Sequence, residues 1–400
     1  MPNFDLDKFI DRDFEISLVI NRVSDLAKGK PFAPRERVFH FVGSSGIGKS
    51  SLLGKIHSLL LGGDFKKQGV VPILVRLDTL KGGKQGFIVE LLKTVYEEFC
   101  KYTEVVANPV LKEPLKSKRE YASMIVRAIF LRDVVPVLML DEVNVPSWKD
   151  MQEIENYLLA KFVQDNNRAI LITAGRSQPT RFNDFALRPN ASNIVPLSVF
   201  DEEKTGKQME HLKPGSGKLA GQVVKLGGGV PGNTVQLVGH VTGDPLDIPN
   251  EALAVQSLLD DVKKENKIET SYYPMLEAIS ILQGFFPEDV TPLFQSHPQL
   301  GAGWNESRVK EVFPKLNQIQ VGPGRLVDWN REKKHWAMDE STRGLFEKEL
   351  QLHNPELWKK LHCTALRMYQ EWGETYNADM YRNKVAYHQQ CLQSAGMTCE

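Results

Sequence analysis

The sequence predicts an α/β protein built on a doubly wound parallel sheet. Three observations predict it. Apolar runs at 38–42 (VFHFV), 70–78 (VVPILVRLD), 134–142 (VVPVLMLDE) and 168–176 (RAILITAGR) have the length and composition of strands buried on both faces. A glycine-rich turn joins the first run to a segment in which Leu52, Leu53, Ile56, Leu59 and Leu60 mark one helical face. Strand and helix patterns then alternate over residues 35 to 200, with Met151, Ile154, Leu158 and Phe162 at helical spacing before the last run.

Composition narrows the class. A chain of 400 residues exceeds one ordinary core, so more than one domain is expected. Its 42% hydrophobic and 25% charged residues fit a soluble globular protein. Fifty basic and fifty acidic residues cancel, which removes any global argument for nucleic acid or membrane binding. The four cysteines, Cys100, Cys363, Cys391 and Cys399, form no CxxC pair and are too sparse for a disulfide framework. A cytoplasmic location is therefore expected. The longest apolar run is too short to span a bilayer, so no membrane contact is expected.

The turn after the first strand is Gly43, Ser44, Ser45, Gly46, Ile47, Gly48, Lys49, Ser50, which fits G-x-x-x-x-G-K-[ST] at every fixed position. Its setting between a strand and a helix is the one the motif needs. Glycines let the backbone wrap and aim its N–H groups at phosphates, at a helix N-terminus whose dipole favours anions. Ser51 extends that N-terminus. Lys49 adds a positive charge toward the β- and γ-phosphates, and the Ser50 hydroxyl is a hard oxygen ligand for Mg²⁺. The bland alternative is a flexible Gly/Ser turn. The motif instead implies ATP or ADP with Mg²⁺ in a P-loop NTPase fold.

Such a loop requires a partner strand ending in an acid, and 134–142 ends in Asp141 and Glu142. Asp141 is placed to hold Mg²⁺ through water, and Glu142 to polarise an attacking water. The bland reading has the two acids merely closing the strand. Arg176 ends the next strand, where it can sense or neutralise a γ-phosphate if that strand neighbours the first.

At this point the order of motifs resembles the signal-transduction ATPases with numerous domains (STAND), a class that includes the NB-ARC and NACHT proteins. Phe9, Ile10, Asp11, Arg12 and Glu15 resemble the family's hydrophobic-Gly-Arg-x-x-Glu opening near the adenine, with Asp11 in the glycine's place. ILITAGR resembles its strand ending in a γ-phosphate-sensing arginine, which carries that role to Arg176. Residues 193–203 (NIVPLSVFDEE) resemble the junction into a small helical domain. Gly229, Val230 and Pro231 match its G-x-P motif, whose proline lies against the nucleotide.

In the second half, two short helices at 274–283 and 287–295 precede a third, Asn305 to Gln318, and then a β-hairpin. Three helices and a hairpin describe a winged helix. The third helix sets Arg308, Lys310 and Lys315 against Glu306 and Glu311, a mixed face rather than a basic one. DNA contact is accordingly the less favoured reading. The family's phosphate-binding histidine falls at Asp339, so that contact is not carried over. Asn354 and Pro355 open a capped helix, and helical composition runs on toward the C-terminus. No sensor repeat is found, so sensing is expected from elsewhere in a longer chain or from a protein partner.

The expected domains are a P-loop nucleotide-binding domain (1–198), a small helical domain with the G-x-P motif (199–268), a winged helix (269–345) and a C-terminal helical segment (346–400). The expected function is a slow, Mg-dependent ATPase acting as a switch, closed with ADP and opening to a homo-oligomer with ATP. An origin-recognition-like AAA+ ATPase acting on DNA is the alternative. A scaffold with a vestigial site is disfavoured by Lys49, Ser50, Asp141 and Glu142.

Overall fold

The computed structural model describes residues 9–81, 86–103, 117–130, 133–176, 182–243, 247–321, 324–330, 334–376 and 378–399. Two compact units divide the chain. One contains residues up to Gly43 and Ile47–Ser198, and the other contains Ser44–Gly46 and everything from Val199.

The first unit is a five-stranded parallel sheet: β1 Val38–Val42, β2 Val70–Arg76, β3 Val135–Asp141, β4 Ile170–Gly175 and β5 Ile194–Pro196. Their order is β2-β3-β4-β1-β5. Successive side chains along each strand enter different cores, as the two-residue period requires. Val38, Leu138, Leu140 and Leu171 face one core with the helices Phe87–Lys101 and Lys118–Phe130. Phe39, Phe41, Met139 and Ile172 face the other with the helices Asp13–Ala27 and Lys49–Leu60. Burial on both faces explains the unbroken apolar runs. The sheet is doubly wound, in agreement with the sequence.

Local departures have physical causes. The second run stops as a strand at Arg76, because Leu77–Thr79 forms a 3₁₀ turn. The helix carrying Met151 to Phe162 contains a π-turn at Glu155–Leu159, between Trp148–Ile154 and Ala160–Gln164. Arg37, which carried no signal in the sequence, is buried below β1 and donates to the carbonyls of Phe32, Val163, Asn166 and Ala169. A buried guanidinium is tolerable there because backbone acceptors surround it.

The second unit begins with the helices Glu202–Leu212, Ala220–Gly227, Pro231–Val238 and Glu251–Glu265. Asp201 caps the first by accepting from Lys204 N–H. Pro231 opens the third at N1, where its missing N–H costs nothing. Gly229 just before it has φ +69°, and a Cβ there would lie 2.3 Å from the Phe200 carbonyl oxygen. Only glycine fits this turn. Further along, Gly232 N–H donates to the Gly46 carbonyl at 2.9 Å.

Three helices follow, Tyr273–Ser280, Pro287–Ser296 and Glu306–Gln318, and then the antiparallel pair Val327–Asn330 and His335–Met338. Phe285 bridges to Trp336, and Phe285, Phe313, Trp336 and Trp329 form a chain of edge-to-face contacts that includes the hairpin's own paired tryptophans. The turn at 322–323 and residues 331–333 of the charged turn lie outside the described residues. Asp339 caps the helix Glu340–His353, its carboxylate accepting from the N–H and hydroxyl of Thr342. The helices Pro355–Thr375 and Ala378–Ser394 complete the unit.

One expectation is corrected here. The cysteines read as too sparse for a disulfide framework, yet Cys363 and Cys399 form a disulfide, with Cα atoms 5.6 Å apart. Antiparallel packing of the last two helices returns the chain end to Cys363 across a separation of 36 residues, which no local spacing reveals. Cys100 and Cys391 are free thiols. No helix among the described residues is long and apolar enough to cross a membrane.

The glycines before Pro231 give a paired test. Gly228 has φ +67° with open space where a Cβ would go, whereas Gly229 has a similar φ and a clash. Gly228→Ala is expected to cost about 1 kcal/mol from left-handed backbone alone, and Gly229→Ala clearly more, about 2–3 kcal/mol. Equal losses in denaturant melts would show that the Phe200 contact does not constrain the turn.

Candidate nucleotide-binding site

The site grows from the edge where the parallel strands end. β1 pairs in register with β4, Val42 opposite Gly175, and Gly43 N–H donates to the Gly175 carbonyl at 3.2 Å. The glycine-rich loop therefore leaves the sheet beside Arg176. β4 separates β1 from β3, which meets the condition under which Arg176 was expected to neighbour the loop.

The loop runs from Gly43 through Ser44, Ser45, Gly46 and Ile47 to Gly48, whose φ of +98° turns the chain into the helix Lys49–Leu60. That helix makes its first backbone bond from Leu52 N–H to the Gly48 carbonyl. The N–H groups of the preceding positions, Ser50 and Ser51 among them, belong to the orphan donors of a helix start. Lys49 is 5% exposed, and its ammonium donates to the Gly43 carbonyl at 2.9 Å, curled back over the loop.

Across the loop, β3 delivers Asp141, 1% exposed and hydrogen-bonded to the Ser50 side chain. Burial pushes its carboxyl above the usual range, while Ser50, Lys49 and Arg76 pull against that. Glu142 then turns the chain with φ +59°, a left-handed conformation that is strained for a residue with a side chain. The turn is held by Val143 N–H on the Ala174 carbonyl and by Glu142 N–H on Asp141 Oδ1. Glu142 is buried, and its Oε2 has no hydrogen-bond partner among the described residues. Burial pushes this carboxyl up to about 7, with Lys49 opposing and Asp141 adding to the shift.

Arg12 approaches from the first helix. Asp11 and Arg12 both have positive φ, at 62° and 75°. Asp11 thus adopts a left-handed backbone that glycine takes freely, and Asp is among the residues that tolerate it. The Arg12 guanidinium is buried and donates to the Ile47 carbonyl at 3.2 Å and the Ser198 carbonyl at 2.7 Å, with Glu15 beside it. It braces the phosphate loop from behind. Ile10 precedes it and is half-buried. Pro231 belongs to the second unit, where its carbonyl accepts from Gln208.

Two participants escaped the sequence reading. Asn144 accepts the Arg176 N–H at 3.2 Å through its side-chain oxygen, tying the Asp141–Glu142 turn to the end of β4. Arg76 stands in register opposite Asp141 at the end of β2 and pairs with Asp78. Both were reachable by one rule, that ligand-facing groups gather at the carboxyl ends of parallel strands.

The donor set fits a nucleotide triphosphate with Mg²⁺: a cationic loop at a helix start, with a hydroxyl and a carboxylate paired beside it. No protein-family model and no curated protein matches the sequence. Among solved structures, a Walker-type ATPase of Pyrococcus abyssi aligns with a TM-score of 0.50 at 14% identity, over 86% of this chain and 99% of that one. The chain has the fold of a P-loop ATPase. The ORC2 protein of Aeropyrum pernix, solved in ADPNP–ADP complexes, aligns at 0.49 and 12% identity, over 87% of this chain and 94% of that one. A STAND protein of Pyrococcus horikoshii with a tetratricopeptide repeat sensor aligns at 0.35 and 14%, over 94% of this chain and 48% of that one.

Glu142 makes stability pH-dependent in the ligand-free protein. Its folded value is raised from 4.5 to about 7, so the folded state binds more protons than the unfolded across that window. Stability therefore falls as pH rises from about 4.5 to 7 and is then level. Glu142→Gln removes this slope, with a gain over wild type near zero at pH 4 and of order 3 kcal/mol at pH 8. Parallel pH profiles of the two melting curves would contradict a buried, proton-holding Glu142.

Proposed function

We propose that the chain is an ATP-binding, slowly hydrolysing switch of the STAND type, closed with ADP and opening to an oligomer with ATP. The observation that carries this reading is the segment at Gly229–Gly232. Gly229 makes the turn that only glycine fits, Pro231 opens a helix, and Gly232 N–H holds the Gly46 carbonyl in the phosphate loop. A loop whose backbone is shared with the G-x-P segment gives bound phosphate a direct mechanical link to the helices beyond it. A nucleotide that fits one arrangement of this link better than another biases a two-state equilibrium.

The residues divide the chemistry. Loop N–H groups and Lys49 bind the phosphates, and Lys49 exchanges its present acceptor, the Gly43 carbonyl, for phosphate oxygen. Ser50 and Asp141 hold Mg²⁺, which supplies charge neutralisation at the phosphates when bound. Glu142, with Oε2 unpartnered, orients a water and takes its proton. Arg176 stabilises charge on the terminal phosphate, and Asn144 positions the backbone that carries it. Arg12 and Ile10 hold the adenine side of the site, and Pro231 reads the base.

An origin-recognition-like role on DNA is the competing reading. It asks for a basic recognition helix. In Glu306–Gln318, Lys310 pairs with Glu306 at 3.2 Å and Arg308 lies over the Trp304 ring at 4.2 Å, so two of its three cations already have partners on the protein.

Three measurements test these assignments. With a non-hydrolysable ATP analogue, wild type is expected to gain oligomeric mass relative to ADP, whereas Lys49→Ala stays at the ADP-state mass. Identical masses in all conditions would sink the switch. Glu142→Gln should bind nucleotide as wild type does while turnover falls by about 10²-fold or more. Salt-dependent binding to random duplex DNA, absent under the switch reading, would favour the alternative.

A further inference from the structure

The last three helices enclose a polar cluster that the nucleotide site does not use. Glu347 comes from Glu340–His353, His362 from Pro355–Thr375 and Cys391 from Ala378–Ser394. One ligand atom from each lies within 4.8 Å of the other two. His362 is 0% exposed, and among the described residues its Nε2 makes no well-aligned hydrogen bond, Glu347 Oε1 lying 3.4 Å away as its ion-pair partner when the ring is protonated. A fully buried imidazole nitrogen left without a bond is costly, and it requires an explanation.

The ring is held firmly in that orientation. Its other nitrogen, Nδ1, lies 2.9 Å from Nδ1 of His388, and its face packs on Trp358 with centroids 4.2 Å apart. One proton bridges the two Nδ1 atoms, and when His362 supplies it the Nε2 lone pair is left directed toward Glu347 and Cys391. This is the arrangement of a metal-binding histidine whose second nitrogen is fixed by an outer partner. Glu347 is divided in the same way: Arg343 donates to its Oε2 at 2.6 Å, and Tyr387 hydroxyl reaches both oxygens at 3.2 and 3.3 Å. Oε1 is the oxygen that faces the histidine.

We propose that Glu347, His362 and Cys391 form a binding site for a Zn²⁺-like divalent ion that ties the three C-terminal helices together. A thiolate, an imidazole and a carboxylate are the ligand types of zinc, and the sulfur and nitrogen disfavour Mg²⁺. The site is thus chemically distinct from the Ser50–Asp141 pair. Bonds of about 2.0–2.3 Å require the three atoms to draw together by about 1 Å, and three protein ligands leave a fourth position for water. Arg343 offsets part of the added negative charge and keeps Glu347 in place. The rival explanation is a hydrogen-bonded cluster with no ion.

Titrating metal-free full-length protein with Co²⁺, in excess Mg²⁺ to occupy the nucleotide site, separates the two. One equivalent is expected to bind with a near-ultraviolet thiolate-to-cobalt band, and Zn²⁺ is expected to displace it and raise the melting temperature. Cys391→Ser should lose the band, and His362→Gln should weaken binding by more than about 10-fold. His388→Gln, which touches only the outer partner, should cost about 10–100-fold. Cys100→Ser and the Cys363→Ser/Cys399→Ser pair should keep the band. Melting curves without metal establish that each variant folds, and His388→Gln serves should Cys391→Ser not fold. No thiolate band, or binding that survives both Cys391→Ser and His362→Gln, overturns the site.

Discussion

The register of β1 against β4 is the constraint on which the first unit depends. Val42 opposite Gly175 brings the start of the phosphate loop and Arg176 to the same height. Leu140 opposite Thr173, on the other side of β4, then fixes where Asp141 ends. A slip of one residue in either pairing would exchange the two faces of a strand, moving its apolar side chains from one core to the other. Both faces are buried under helices, so that exchange would disturb two cores at once. Packing of residues such as Phe39, Met139 and Ile172 thereby sets the positions of polar groups they never touch.

The strained turn at Glu142 follows from this arrangement. The chain must leave β3, cross the end of β4 and still leave a carboxylate near Lys49. A left-handed residue makes that bend within one position, and the Val143 bond to Ala174 holds it. The cost is a buried acid whose proton is held to about pH 7. Asp141, one residue earlier, is buried more deeply yet has Ser50 and a backbone N–H to accept from. The more deeply buried of the two adjacent carboxylates is thus the one with partners to accept from, and the other holds its proton to higher pH.

How much of this was legible depended on whether the information was local. Strand identity was legible because burial on both faces leaves no polar alternation. The loop was legible because its glycines, Lys49 and Ser50 must lie at fixed spacing. Asp11 read as a departure from a glycine, and only the backbone shows that it adopts a left-handed conformation. The strand order, with β4 between β1 and β3, is not written in any segment, and with it the partnership of Asn144 and Arg176 was hidden. Arg37 was invisible for the same reason: three of its four acceptors, Val163, Asn166 and Ala169, come from a helix end and a loop far along the chain. The Cys363–Cys399 bridge likewise depends on how two helices pack.

The C-terminal helices apply the same logic in an apolar setting. Most of that core is Leu, Phe, Trp and Tyr, and such a core needs no polar members for stability. Yet Arg343, Glu347, His362, Tyr387 and His388 are gathered inside it, each bonded to another of the group. Burying five polar side chains is unfavourable unless every donor and acceptor is satisfied. Arg343 shows how close the cluster comes to that state, with Ser280, Glu347 and Tyr387 all as partners. Among the described residues the cluster leaves two buried nitrogens without a hydrogen bond, Trp358 Nε1 and His362 Nε2, and the histidine nitrogen faces a carboxylate and a thiol. A cation held there would satisfy the imidazole nitrogen that this network leaves open.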